Sequence, residues 1–447
     1  MVNLMEYLVD DCQQFKDECI KNEQRATLTY FGLDLIIEKT GKIFGIEING
    51  QYSGSKGIEL AYGKDFVREN LLEKLASYGL PVTIYVNSKA EAETEIWAEG
   101  KQGIVVKDFG KLELQLSKDV LGTSDCSDQE YYHQLALLRK QELLDFVQRY
   151  KLLLDEKMGL IKTGQKPTAQ FTKISQAEGI IFNNTHRRYK FDEGRFIVIN
   201  PFHMEFIIGN KMLTSFMAPG FTDNYTLDNF SSSSFEKKQG IIKRKLKKYL
   251  RHNVDKIVFK PVGGSGGFGV CVFPIKQILG NNSRLKNSFF EMIESPKGFI
   301  DNPDLVQDIN YLKSVKETVL LQPFIESKPF KSSLTGQPHY ACIRYSVLVE
   351  SQQSKIQLYH LGGYARLAKG PIGESNDKVA NLAKGATAEP LAARDLNRIR
   401  TWANRIIPVF YRRLLRLGQK GFIAHPMNYV LMEKDFKKIY QQPWRWA

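Results

Sequence analysis

The stretch Lys260-Pro-Val-Gly-Gly-Ser-Gly-Gly-Phe-Gly269 lies between KIVF (256–259) and VCVFPI (270–275), two β-type runs. Five glycines in the seven positions 263–269 therefore sit in the turn of a strand–loop–strand unit. Gly264, Gly266 and Gly269 match the spacing of the dinucleotide fingerprint, but that loop opens a helix, and here a strand follows. No Gly-Lys-Ser/Thr closes the loop, which excludes a P-loop. A glycine loop between antiparallel strands can lie closely over anionic oxygens, because it has no Cβ atoms and its N–H groups can face the anion. Lys260 adds an ammonium at the base of the loop. The plain alternative is a ligand-free hairpin, for which this much glycine is entropically costly.

Downstream, TVLLQPFIE (318–326), ACIRYSVLVE (341–350) and KIQLYHLGGYARLA (355–368) read as strands. A helix is expected over 391–417 from Leu396, Ile399, Ala403, Ile406, Phe410, Leu414 and Leu417, with a kink at Pro408. A strand pair follows at 421–441. Upstream, Leu4, Leu8, Cys12, Phe15 and Cys19 give residues 1–23 a helical period. ATLTYFGLDLII (26–37) and KIFGIEI (42–48) then form a hairpin around Glu38-Lys39-Thr40-Gly41. Between 60 and 205, LPVTIYVN (80–87), GIVVKDF (103–109), GIIFNN (179–184) and RFIVINP (195–201) alternate with helices expected at 66–78 and 129–156. That alternation predicts a small parallel α/β domain. Residues 157–178 read as a loop, and 207–217 and 235–251 as helices.

The chain has 447 residues, room for roughly two to four domains. With 43% hydrophobic and 25% charged residues, wholesale disorder is excluded. A net charge of +14 suits an anionic partner without choosing one. Cys12, Cys19, Cys126, Cys271 and Cys342 show no Cys-x-x-Cys spacing, so a reduced cytoplasmic setting is expected. The N-terminus lacks the pattern of a signal peptide, and no run of about 18 apolar residues predicts a membrane span. The histidines show no zinc spacing, and no nucleophile elbow is present. The basic helix FEKKQGIIKRKLKKYLR (235–251) has no accompanying recognition motif, so it reads as a solvated face, and a nucleic-acid partner is not expected.

Lys260-Pro with its glycine hairpin, then LLQPFIE, Arg344, Arg366 and VANLAKGA (379–386), resembles the ATP-grasp superfamily. VINPFHMEFIIGNKMLTSFMAPG (198–220) is similar to that family's strand, Asn-Pro turn and lysine-bearing helix opening. The resemblance covers about 195–420; its motifs are loose singly and more specific in their order. It implies an α+β fold with two lobes around a nucleotide cleft, preceded by a small α/β Rossmann-like domain. The implied divisions are 1–58 (helix and hairpin), 59–205 (α/β domain), 206–320 (lobe with the glycine hairpin) and 321–447 (C-terminal lobe). It implies that Lys211 and Lys260 contact ATP phosphates, with Gly263, Gly264, Ser265, Gly266, Gly267 and Gly269 as a phosphate lid. Gln322, Phe324 and Ile325 would meet adenine, and Glu326 the ribose. Arg344, Arg366, Asn381 and Lys384 would stand near the reacting phosphoryl group. Cations and Mg²⁺ are needed there because phosphoryl transfer to a carboxylate brings negative charges together.

The family ends in Asp, a hairpin, then Glu-x-Asn, which hold Mg²⁺. The C-terminus here offers Asn428, Gln441 and Pro443 instead, whereas Asp34, Glu47 and Asn49 match that ending at the N-terminus. Both pairs, Asp34/Glu47 and Asn428/Gln441, are thirteen residues apart, which suggests an internal repeat. Three arrangements remain open: the N-terminal unit supplies the ligands, in cis or from a swapped subunit; it is the remnant of another module; or it is only a structural hairpin. The polar Gln51–Gly57 segment either binds an anion or is a loop. The resemblance implies an ATP- and Mg²⁺-dependent ligase that activates a carboxylate as an acyl phosphate for attack by an amine or similar nucleophile. A degenerate nucleotide-binding regulatory protein and a phosphotransferase are the alternatives, and a homodimer stays open.

Overall fold

A computed structural model describes residues 26–50, 52, 55–86, 103–158, 160, 171–184, 191–200, 208, 211, 214, 220–221, 225–227, 235–261, 270–280, 319–353, 355–374 and 385–416. The expected helix at 1–23, the glycine loop 262–269, Asn381, Lys384 and the strand pair at 421–441 lie outside these residues.

The chain opens with β1 (Thr27–Ile37), β2 (Ile43–Asn49), α1 (Ser55–Tyr62) and α2 (Phe66–Ala76). An α/β section follows: β3 (Val82–Val86), β4 (Ile104–Asp108), α3 (Phe109–Leu121), α4 (Asp128–Leu137), α5 (Lys140–Met158), β5 (Gly179–Asn184) and β6 (Phe196–Ile199). Next come β7 (Tyr225–Leu227), α6 (Phe235–Arg251), β8 (Lys256–Pro261), β9 (Cys271–Pro274), α7 (Ile275–Leu279) and β10 (Val319–Pro323). The described chain closes with β11 (Phe330–Lys331), β12 (Pro338–His339), β13 (Ala341–Gln352), β14 (Lys355–Leu367), β15 (Thr387–Glu389) and α8 (Ala393–Arg416).

The expected hairpin forms, with Gly41 at φ 86 in its turn, a conformation glycine adopts without steric cost. Its pairing is long-range: β1 lies antiparallel to β13, and the large sheet runs β15-β14-β13-β1-β2. Strand alternation gives this sheet two characters. Phe31, Leu33, Leu35, Ile343, Tyr345 and Val347 meet Ile399, Ile407, Phe410 and Leu414 of α8. On the opposite face, Leu28, Tyr30 and Leu348 pack against α2 and the parallel sheet. Farther along that face, Asp34, Arg344 and Arg366 replace apolar side chains with charge.

The α/β section is the expected parallel sheet, in the order β4-β3-β5-β6. Val82, Ile84, Val86, Ile180 and Phe182 face the large sheet, while Tyr85, Ile181 and Val198 pack against Leu116 of α3 and Leu154 of α5. One helix has no counterpart in the sequence reading: KLELQL (111–116) lies in α3, started by Asp108 Oδ1 accepting from Lys111 N and ended by Gly122 in the left-handed region. The single helix expected at 129–156 is two, because Leu138 is extended. The kink expected at Pro408 does not end α8, which runs through it.

The glycine segment joins β8 and β9, an antiparallel pair as expected, within a four-stranded sheet ordered β7-β10-β8-β9. Ile208, Lys211 and Thr214, inside the helix expected at 207–217, are helical. Among the described residues, no helix is long and apolar enough to cross a membrane.

Candidate functional site

Asp34 and Arg344 face each other directly in the β1–β13 register, and Cys342 pairs with Arg366 across β13–β14. Arg344 Nε donates to Asp34 Oδ1 at 2.5 Å and its Nη2 to Oδ2 at 3.2 Å. Arg366 Nη2 lies 2.8 Å from the same Oδ1. Two strands thus deliver two guanidinium groups to one buried carboxylate. Burial alone pushes the Asp34 carboxyl up, but the two arginines more than offset it and hold it below the usual carboxylate range. The same attraction holds Arg344 and Arg366 charged despite their burial.

Glu47 and Asn49 project from the same face of β2 because they are two residues apart. Glu47 Oε2 is 3.8 Å from Lys211 Nζ. Lys260, at the end of β8, is 3% exposed, and its Nζ has no hydrogen-bond partner among the described residues. Burial brings its ammonium down to about 8, with Lys211 pushing the same way and Glu47 and Asp34 opposing. Arg366 Nε is likewise buried without a partner, while its Nη2 donates to Cys342 Sγ at 3.0 Å. Among the described residues, four cations and two carboxylates leave this cluster two positive charges in excess. Buried donors without acceptors are costly, and an anion placed among them would relieve that cost.

The structure therefore brings together Lys211, Lys260, Asp34, Glu47, Arg344 and Arg366 from both ends of one chain. The expected adenine and ribose residues occupy and follow β10. Gln322 is buried, Phe324 and Ile325 are half-buried, and Glu326 binds Lys39 at 2.7 Å and Lys256 at 3.5 Å. Lys39 belongs to the β1–β2 turn, and Lys328 N donates to Ile37 O at 2.7 Å, so the hairpin tip is tied to the segment after β10. Gly263, Gly264, Ser265, Gly266, Gly267, Gly269, Asn381 and Lys384 lie outside the described residues.

Mg²⁺ takes few protein oxygens and keeps waters or phosphate oxygens as its remaining ligands. Glu47 and Asn49 fit such a partial donor set. Asp34 fits it poorly, since both of its oxygens already accept from guanidinium groups. Among the described residues, no group of three or more His, Cys, Asp or Glu side chains is placed to hold a metal by itself.

Three contributors had little signal in the sequence. Asn200 has φ 55, in the left-handed region that asparagine tolerates. Its Oδ1 accepts from Tyr30 N at 2.8 Å, and its Nδ2 donates to Gly50 O. Asn184 Oδ1 accepts from Tyr52 N at 2.8 Å. Two asparagines, one ending β5 and one just after β6, therefore hold the segment that leaves Glu47-Ile-Asn49. The Asn-Pro turn at 200–201 was the visible clue to the first. Cys342, beside Arg366, is the third; nothing in the local sequence marks it.

No family model matches the chain, and no curated protein matches it. Among solved structures, a Methylobacillus flagellatus protein named for a proposed gamma-glutamylcysteine synthetase activity aligns with 97% of this chain and 96% of its own at 12% identity, with a TM-score of 0.43. A glutathione synthetase-like effector from Globodera pallida aligns with 81% of this chain and 79% of its own at 9% identity, with a TM-score of 0.34.

Proposed function

We propose that the chain is an ATP-dependent ligase that phosphorylates a carboxylate and passes the acyl group to an amine. The observation that carries this reading is Lys260: a buried ammonium without an acceptor among the described residues, three positions before Gly263 of the glycine-rich run in sequence and among three further cations. A polyphosphate supplies the missing acceptors and cancels the cluster's excess charge.

In this reading, Lys211 and Lys260 bind the phosphate chain. Arg344 and Arg366 stabilise charge on the phosphoryl group as it moves to the carboxylate, and they do so without reorganising because Asp34 already fixes them. Asp34 is accordingly a positioning residue rather than a metal ligand. Glu47 and Asn49 would hold Mg²⁺, which supplies charge neutralisation between phosphates. The strand and segment from Gln322 to Glu326 would border the adenosine. The N-terminal hairpin completes the site in cis, which is the first of the three arrangements left open by the sequence.

The test is ADP release from ATP in the presence of carboxylate and amine panels. Release should require both substrates and fall at least a hundredfold in Lys260→Met. Absence of nucleotide binding to the unaltered chain at millimolar ATP and Mg²⁺ would overturn the reading. Nucleotide binding without turnover across the panels would favour the regulatory alternative, and a phosphorylated stable product would favour the phosphotransferase.

A further inference from the structure

The chain crosses from the four-stranded sheet to the five-stranded sheet in two residues. Among the described residues, Phe324 is the last whose backbone bonds the smaller sheet: its N donates to Lys256 O at 3.0 Å. Ser327 is the first bonded to the larger one. It forms a bridge with Glu38, and its Oγ accepts from Ala341 N at 2.8 Å. Lys328 follows, with its N donating to Ile37 O at 2.7 Å and its Nζ to Asp395 of α8 at 2.6 Å. Ile325 and Glu326 alone lie between these anchors. A change in the angle between two packed units is absorbed by a few such connecting residues.

Glu326 is held from both sides. Its Oε1 lies 3.5 Å from Lys256 Nζ on β8, in the smaller sheet. Its Oε2 accepts from Lys39 Nζ at 2.7 Å, in the turn of the β1–β2 hairpin of the larger sheet. One carboxylate at the joint therefore carries an ion pair to each sheet. The hydrogen bond from Lys39 holds the Glu326 carboxyl below its usual range against partial desolvation, so the anion is in place at neutral pH. The same arrangement of the sheets brings Lys260 of β8 within electrostatic reach of Asp34 on β1. Turning the sheets apart about residues 325 and 326 would part Lys39 from Lys256 and Lys260 from Asp34 together.

We propose that Lys39 is a positioning residue for the nucleotide: through Glu326 it latches the two sheets in the arrangement that gathers the phosphate-binding cations. The proposal rests on the reading of this cluster as a nucleotide site. A latch made in one of two arrangements shifts their populations, and a ligand that binds the latched one gains affinity by that shift. The Lys39 side chain is 58% exposed and that of Glu326 37%, so solvent screens the pair and its effect on affinity is about two- to fivefold.

The experiment is calorimetry of MgATP binding to the full chain, run as a double-mutant cycle. Lys39→Met should weaken binding about two- to fivefold, and Lys39→Arg should restore most of the loss. In a Glu326→Gln background, Lys39→Met should have no further effect. That comparison separates a latch from a lysine that merely attracts the polyphosphate, which would lower affinity equally in both backgrounds. A thermal melt of each variant should stay close to the parent's, because both side chains reach solvent. Should the variants misfold, hydrogen exchange on the unaltered chain decides: at high salt the Lys328 amide should exchange faster relative to the amides of α8 than at low salt. Unchanged affinity in folded Lys39→Met, equal losses in the two backgrounds, or salt-independent exchange at Lys328 would overturn the proposal and leave the ligase reading standing. Failure of the unaltered chain to bind MgATP would overturn both.

Discussion

Between about pH 8 and its ordinary value near 10.5, the folded chain keeps Lys260 neutral while the unfolded chain protonates it. The sign follows: as pH falls through this window the unfolded state takes up the proton first, so stability declines, and the full penalty is present below about pH 8. The shift corresponds to on the order of 3 kcal/mol. Lys260→Met should therefore raise urea-unfolding stability at pH 7 while ending nucleotide binding. For the unaltered chain, nucleotide affinity should be nearly constant below pH 8 and fall by up to tenfold per pH unit above it, with proton uptake measurable by calorimetry in buffers of different ionisation heat. Asp34 is the opposite case, a buried carboxylate with partners. Asp34→Ala leaves two guanidinium groups facing each other and should cost about 3–5 kcal/mol in the same unfolding experiment. A cost below about 1 kcal/mol would show that Asp34 does not organise the arginines.

At the scale of elements, β13 and β14 set how the two arginines approach. Gly363 lies opposite Tyr345, and a methyl group there would run into the Arg344 carbonyl oxygen and sit 2.8 Å from Tyr345 Cδ2. Gly363→Ala should cost about 1–3 kcal/mol through forced separation of the strands. It should also weaken nucleotide binding, because Arg344 shifts with its backbone; unchanged affinity would remove the strand pair from the account. Much of this level was legible beforehand. The hairpin, four parallel strands, the β8–β9 pair and α8 all carry local periods and turn residues that act over a few positions. The α3 segment was left unassigned, because Leu112, Leu114 and Leu116 alternate rather than follow a helical period, and the helix is set by the cap at Asp108. Lys260, Asp34, Glu47 and the arginines were visible as residue types in order. That Asp34 would bind the arginines was not visible, because register between distant strands has no local signature. The same holds for Asn184 and Asn200, whose contacts are with backbone far along the chain.

On the scale of the whole molecule, β1 is an interior strand, flanked by β2 and β13, with apolar residues on both faces. Removing residues 1–50 would take two of five strands from the large sheet and uncover two cores. The truncated chain should lose cooperative unfolding, followed by circular dichroism; a truncation that melted like the full chain would contradict this architecture. The placement also matters during synthesis. Asp34 leaves the ribosome 310 residues before Arg344. At about 5–20 residues per second, that interval is about 15–60 s. Throughout it, TLTYFGLDLII has no native neighbour on its β13 side, so the nascent chain carries an adhesive ribbon for most of its translation. A holding chaperone on the emerging N-terminus, or initiation slow enough to keep neighbouring nascent chains apart, would shield that ribbon until β13 is made.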